Sequence, residues 1–234
     1  LLDYANMNWA YSELFQNYSK EQIEGYLNYA WRESNGNGLM VHYAETHDNS
    51  RLAAVSENYA RMRTALSALA SVNGAFGFAN GVEWFAKEKI DVHESCGLSW
   101  GATPNLVEFI GKLNTLLLTV PAFHNGASMT FLNSGSPNAV VFRRTGASGN
   151  GTVLCAVNLD CEHPALIQWN ADDAGACGLA AYDLISARAV AVKPVGTMRF
   201  QLKLAPGEAL CLSGEPRDLL RIREASAKIF DRFS

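Results

Sequence analysis

A chain of 234 residues, 48% hydrophobic and 18% charged, has enough apolar content to bury one large core or two small ones. Its net charge of −4, with no basic tract, RNA-binding aromatic motif or zinc-finger spacing, argues against nucleic acid as a partner. No apolar run approaches the roughly 20 residues that a membrane-spanning helix needs, so no membrane role is expected. Five cysteines at irregular spacing (Cys96, Cys155, Cys161, Cys177, Cys211) suit buried thiols in a reducing, cytoplasmic setting rather than a disulfide framework. The chain opens Leu1-Leu2-Asp3 without methionine, as the start of a fragment would.

In chain order, the first clear signal is a capping box, Ser19-Lys20-Glu21-Gln22, where hydroxyl and amide side chain can satisfy each other's backbone donors. The helix that follows carries Ile23, Tyr26, Leu27, Ala30 and Trp31 on one side, and Asn35-Gly36-Asn37-Gly38 stops it. Leu39 to Ala44 reads as a short strand that is apolar on both faces, as in a parallel sheet covered on both sides. His42 in that strand is expected to be a satisfied interior polar group.

After a charged cluster, Leu52, Val55, Tyr59, Met62, Leu66 and Leu69 recur at steps of 3, 4, 3, 4 and 3, which predicts one amphipathic helix. Asn73-Gly74 ends it, and Ala75–Ala79 supplies a second strand. The result is a βαβ unit with an expected right-handed crossover. Two such strands leave open edges and uncovered faces, so the unit reads as the tail end of a larger barrel or sheet. The irregular stretch Asn80–Thr103 is long enough to be a functional loop. Thr103-Pro104 then reads as N-cap and first residue of a helix with Leu106, Phe109, Ile110, Leu113 and Leu117 inward.

Beyond residue 127 the pattern changes to eight short β runs: 128–132, 139–144, 152–159, 165–169, 180–185, 189–192, 198–204 and 208–212. Ser148-Gly149-Asn150-Gly151 and Pro206-Gly207 read as hairpin turns. Such a series predicts an antiparallel β-sandwich. A last helical segment, Glu215–Ser234, carries Leu219, Ile222, Ile229 and Phe233 and is expected to dock on the sandwich or lead onward. Domains are accordingly placed at 1–123, 124–213 and 214–234.

The cluster between the first clear strand and its helix, Tyr43-Ala44-Glu45-Thr46-His47-Asp48-Asn49-Ser50-Arg51, lies where parallel α/β folds keep their chemistry. It resembles the His-Asp motif that closes the seventh barrel strand in the α-amylase superfamily of retaining glycoside hydrolases and transglycosidases. About thirty residues on, Phe76-Gly77-Phe78-Ala79-Asn80-Gly81-Val82-Glu83-Trp84 resembles that superfamily's eighth-strand segment, which ends in Gly-x-Glu. The passage from helix to short β strands resembles its passage from barrel to C-terminal domain. The resemblance implies the C-terminal portion of a TIM (β/α)8 barrel followed by an antiparallel β-sandwich, an α/β part plus an all-β part, over residues 1–213.

By that resemblance Asp48 binds neighbouring hydroxyls of the sugar and His47 donates to the same unit, while an α-glucan or oligosaccharide is the substrate. The nucleophile and the acid belong to earlier strands. The superfamily's Gly-x-Arg-x-Asp run occurs nowhere in this chain, so the N-terminal barrel half of the same parent becomes an expected partner, and the fragment alone is expected to be inactive. The candidate substrate contacts are Glu45, Arg51, Glu83 and Trp84, each with a structural alternative: an ion pair for Glu45 and Arg51, loop anchoring for Glu83 and Trp84. For Asp48 or Asn49 the alternative is a helix N-cap, with His47 merely packing. Trp9 and Trp100 could stack on sugar rings or pack. His93 reads as a surface residue, and His124 and His163 carry no site signal. Gly74, Gly77 and Gly81 match no dinucleotide fingerprint, and no Gly-x-Ser-x-Gly elbow or calcium-loop spacing is present, so no cofactor or metal is expected. Two rivals remain: a non-catalytic glycan-binding or scaffolding protein on a degenerate barrel, and a free-standing β-sandwich binding module.

Overall fold

The computed structural model describes residues 8–36, 38–91, 93, 97–174 and 180–230. The readings of Asn37 in the helix stop and of Cys96 and Cys177 as buried thiols lie outside them, as do the side chains of Ile229 and Phe233. The chain divides into two units, Leu1–Ile110 and Gly111–Ser234.

In the first unit, bulky and small residues alternate over Trp9–Ser12, which forms strand β1. Helix α1 (Lys20–Gly36) starts as the capping box requires: the Gln22 amide donates to Ser19 Oγ at 3.2 Å, and Gln22 Oε1 accepts from the Ser19 amide at 3.1 Å. Ile23, Leu27 and Ala30 are fully buried, one turn apart on the covered side. Strand β2 (Leu39–Tyr43) runs parallel to β1, with Trp9 opposite Leu39 and Ser12 opposite His42. On the covered face, Ser12 Oγ and His42 Nδ1 share a 2.6 Å hydrogen bond, so His42 is the satisfied polar group expected of it. Strand β3 is shorter than its apolar run, Phe76–Gly77, and pairs parallel with the end of β2, Tyr43 opposite Gly77. The sheet order is β1-β2-β3, with helices in both crossovers.

The second crossover departs from the single helix expected. It breaks into α2 (Leu52–Val55) and α3 (Glu57–Leu69) at Ser56, whose backbone is extended. The Ser56 hydroxyl accepts the Tyr59 amide at 3.0 Å, so an N-cap interrupts a run that periodicity alone would continue. Val55, placed on the apolar stripe by spacing, is 69% exposed as a result. Helix α3 is buried along most of its length, Arg63 included; that guanidinium donates to the carbonyls of Asn17 and Leu14 at 2.9 and 2.8 Å.

The core of this unit gathers Ala44, Leu52, Ala53, Ala60, Val82, Phe85, Leu106 and Ile110. The next helix, α4, spans Val107–Thr119, three residues later than a Thr103-Pro104 start would give. Asn105 Oδ1 accepts the Val107 amide at 3.2 Å, taking the terminal role that Thr103 was expected to fill.

The second unit holds two antiparallel sheets. Strands β4 (Ser128–Phe131), β5 (Ala139–Thr145), β6 (Thr152–Asn158), β12 (Ala209–Ser213), β8 (Ala180–Asp183) and β9 (Arg188–Ala191) form one, in that order. Strands β10 (Lys193–Val195), β11 (Arg199–Leu204) and β7 (Ala165–Asn170) form the other. A single apolar cluster draws on both: Val141, Leu154 and Leu212 from the larger, Ile167, Trp169, Leu202 and Leu204 from the smaller. Each such side chain contributes roughly 1.5–3 kcal/mol by leaving water.

All eight anticipated runs are strands. The ninth, β10, is exposed at all three residues and contains Pro194, so neither alternation nor propensity marks it. Pro206-Gly207 is a turn but not a hairpin: it carries the chain from β11 in one sheet to β12 in the other. A short helix α5 (Ala171–Ala174) follows β7. Helix α6 (Pro216–Phe230) docks on β8 and β12 through Leu219 and Ile222, and Ser213 Oγ donates to Asp218 Oδ2 at 2.7 Å where it begins.

Candidate functional site

The central strand of the parallel sheet delivers the motif. Past Tyr43, the Ala44 amide still donates to the Gly77 carbonyl at 2.9 Å, which prolongs the pairing by one residue before the chain turns away. The turn is closed locally: the Asn49 amide donates to the Thr46 carbonyl at 3.3 Å, and Thr46 Oγ1 donates to Asn49 Oδ1 at 2.7 Å. His47 and Asp48 sit at its tip with side chains 58% and 72% exposed, Nε2 and Oδ1 being 3.4 Å apart.

Neither Asp48 nor Asn49 caps the following helix. The Leu52 amide, at the start of α2, is taken by Glu45 Oε2 at 2.7 Å. Asp48 is therefore free of the structural duty that most often explains an Asp before a helix.

Glu45 and Arg51 turn inward instead, each 1% exposed. Arg51 Nε lies 3.0 Å from Glu45 Oε1, close enough for an ion pair although off the axis of a good hydrogen bond. Arg51 also donates from Nη2 to the Asn80 carbonyl at 2.8 Å. Burial raises the Glu45 pKa above the usual carboxylate value, against the lowering effects of the Leu52 amide and Arg51; Glu83 adds to the rise. The pair thus braces the end of β2 to the loop after β3.

Gly81 makes that brace possible. Its φ of 101° is left-handed, and a Cβ there would stand 2.1 Å from Arg51 Nη2. Glu83 fastens the same loop: its carboxylate accepts the Gly81 amide at 2.8 Å, and its carbonyl accepts the Leu106 amide at 2.7 Å. Trp84 packs its ring on Trp100, centroids 5.5 Å apart, while the Trp100 side chain is 80% exposed.

A hollow of about 240 Å³ opens beside the His-Asp tip, lined by Trp9, Tyr11, Tyr43, Glu45, Thr46, His47, Asp48 and Ala79. Its aromatic side follows from strand alternation and parallel register, which put Trp9, Tyr11 and Tyr43 on the face opposite Ser12 and His42. Tyr11 and Tyr43 meet edge to face at 6.3 Å, and the hydroxyl end of the Tyr43 ring lies beside Gly77, where a Cβ would stand 2.5 Å from its Cζ. A second hollow of about 340 Å³, which includes Phe15, Tyr18, Asn49 and Lys89, shares Asp48 and Glu45. An aromatic wall stands there beside an exposed carboxylate and imidazole, offering a ring face to stack on and hydrogen-bonding groups at its edge. No group of three or more metal-ligating side chains stands together among the described residues.

Of the residues singled out from sequence, Glu45, His47 and Asp48 line the first hollow and Arg51 the second; Glu83 and Trp84 line neither. Tyr11 was missed, although Trp9-Ala10-Tyr11 carries the period-2 signal that sets two aromatics on one face. Asn80, whose carbonyl receives Arg51, left no signal at all. His93 is exposed, His163 faces Asp160 across 3.3 Å, and His124 Nε2 lies 3.2 Å from the Leu118 carbonyl.

No family model matches the sequence, and no curated protein matches it. Solved structures do. The noncanonic maltogenic α-amylase AmyB from Thermotoga neapolitana matches with a TM-score of 0.67 and 19% identity, over 90% of this chain and 51% of that one. The γ-CGTase from alkalophilic Bacillus clarkii matches at 0.60 and 17%, over 84% and 29%. An α-amylase from Lactobacillus plantarum matches at 0.59 and 13%, over 89% and 48%. The chain spans about half, or less, of the structures it is similar to. At these identities the likeness is one of fold alone: the chain shares the fold of a part of these amylases and of the CGTase.

Proposed function

We propose that this chain is the C-terminal part of an α-glucan-active retaining glycoside hydrolase or transglycosidase. In this reading β1, β2 and β3 with their helices are the last strands of a (β/α)8 barrel, within 1–123; 124–213 is a C-terminal β-sandwich, and 214–234 a helical tail. The carrying observation is the exposed His47-Asp48 pair at the C-terminal end of the middle parallel strand, beside an aromatic hollow and unused as a helix cap. Three parallel strands in sequence order with helical crossovers support the barrel assignment, and one core shared by two antiparallel sheets supports the sandwich.

Retaining glycosidases pass through an oxocarbenium-like transition state between a nucleophilic carboxylate and a carboxylic acid. Asp48 accepts hydrogen bonds from neighbouring hydroxyls of the sugar, and His47 donates to the same unit. Bonds that strengthen as the ring flattens stabilise the transition state more than the ground state. The nucleophile and acid come from the N-terminal barrel half of the parent, so this chain is one wall of the site and inactive by itself. Retaining hydrolysis of a maltooligosaccharide by the purified chain would sink that last point. No cofactor or metal enters the reading, and the buried thiols of Cys155 and Cys211 support a cytoplasmic setting.

The test is Asp48→Asn in the enzyme that contains this chain. Turnover should fall by roughly 10²–10³-fold or more, as for loss of a transition-state contact, with thermal stability unchanged at so exposed a position. A second reading, a non-catalytic glycan-binding protein, is favoured by the engagement of Glu45, the hollow's other carboxylate, with Arg51. It is the one to adopt if the same protein shows no turnover before substitution and only a modest change in glucan affinity after it.

A further inference from the structure

The buried polar inventory of the second unit includes two thiols that the sugar chemistry does not use. Cys155 in β6 and Cys211 in β12 are register partners on adjacent antiparallel strands at the middle of the six-stranded sheet, both 0% exposed.

The backbone tells which kind of partners they are. The Cys211 amide donates to Asp183 Oδ1 at 3.1 Å, and its carbonyl accepts the Leu184 amide at 2.8 Å, so both of its main-chain groups point toward β8 and away from β6. Three residues along β6, the Asn158 amide donates across to the Glu208 carbonyl at 2.9 Å, which fixes the same alternation from the other end. Cys155 and Cys211 therefore face each other at a non-hydrogen-bonded site. There facing Cα atoms stand about 4.5 Å apart and side chains approach most closely, inside the roughly 4.4–6.8 Å span that a disulfide bridges. Both thiols lie within electrostatic reach of Arg144, whose pKa burial draws down to about 10 while the two cysteines act against that fall. The guanidinium is held by the Ala122 carbonyl at 2.9 Å and by the Phe123 ring at 4.4 Å. It stands ready as counter-charge for a thiolate formed there.

We propose that Cys155 and Cys211 are an oxidative modification site, a thiol pair set to close into a cross-strand disulfide when a peroxide reaches it. One thiolate attacks a peroxide oxygen and becomes a sulfenic acid, releasing the first water. The second thiol's sulfur then displaces the hydroxyl as a second water, forming the S–S bond. Two sulfurs are oxidised by two electrons in all, and one hydrogen peroxide is reduced to two waters. With neither thiol exposed, the reaction waits on local opening of the sheet and runs more slowly than oxidation of the partly exposed Cys161.

The experiment treats the folded full chain with hydrogen peroxide, alkylates the remaining thiols, digests without reductant and maps the peptides by mass. The expected product is a Cys155–Cys211 linked pair two hydrogens lighter than its reduced parts, reversed by dithiothreitol, with the denaturant midpoint of the bridged chain raised. Recovery of both residues as alkylated thiols overturns the proposal. So does a bridge that forms only in denaturant, one that joins either residue to another cysteine, or one that lowers the midpoint. The mapping uses the unaltered chain, so it does not depend on any variant folding.

Discussion

Among the described residues the first unit buries Arg51 and Arg63 and the second buries Arg144, and Arg51 and Arg144 are housed differently. Arg51, in the first, is matched by a carboxylate, a carbonyl and a glycine that makes room. Arg144, in the second, rests on a backbone carbonyl, an aromatic face and the neighbouring thiols. The first arrangement is a charge pair in which either member strands the other if lost. The second sets a buried charge against a carbonyl dipole and a ring face, and burial lowers its pKa. The paired charge lies under the turn that carries His47 and Asp48; the other cation lies in a sheet core.

The comparison breaks most visibly at Arg51. Arg51→Met leaves Glu45 buried without its counter-charge and should cost about 3–5 kcal/mol in a urea melt, most of it recovered when Glu45→Leu is added. Arg144→Met relieves a charge that burial desolvates, so the same melt should move by only about 1–2 kcal/mol. Equal losses for the two would end the distinction. At the helix break, Ser56→Ala removes the hydroxyl that accepts the Tyr59 amide and should cost about 1 kcal/mol.

The smallest effect sharpens the account of Glu45. Its folded pKa is raised, so between the ordinary 4.5 and the raised value the folded state holds more protons than the unfolded one. Stability is then highest below that window and declines as pH rises through it. Glu45→Gln should remove this decline, and denaturant midpoints across a pH series would reveal it. A midpoint that climbs through the same window in the unaltered chain would mean that Arg51 outweighs burial.

Local signals in the sequence translated well where the neighbour that mattered was close in the chain. The capping box at Ser19, the eight β runs and the His-Asp turn after a strand are all settled within a few residues. The failures share one cause, a partner far away in sequence. The apolar spacing through Ser56 gives no hint that Leu52 is bonded by Glu45 and that the helix restarts afterwards. Pro206-Gly207 specifies a bend, but which sheet accepts the next strand depends on the pairing of β12 with Cys155 and its neighbours. Arg51 and Glu45 could be paired on paper. Asn80 and Gly81, which complete their setting, belong to a loop whose return to β2 no spacing predicts. For the same reason the Tyr11 side of the hollow appears only once the register of β1 is known.

Position 77 gives the aromatic hollow its shape in a way that is easy to overlook. Any side chain there, even a methyl group, would occupy the space in which the Tyr43 ring lies, 2.5 Å from its tip. The depth of the hollow is thus set from the neighbouring strand by a hydrogen atom. A change at residue 77 would act as a tilt control on the ring and so reshape the hollow without altering His47 or Asp48.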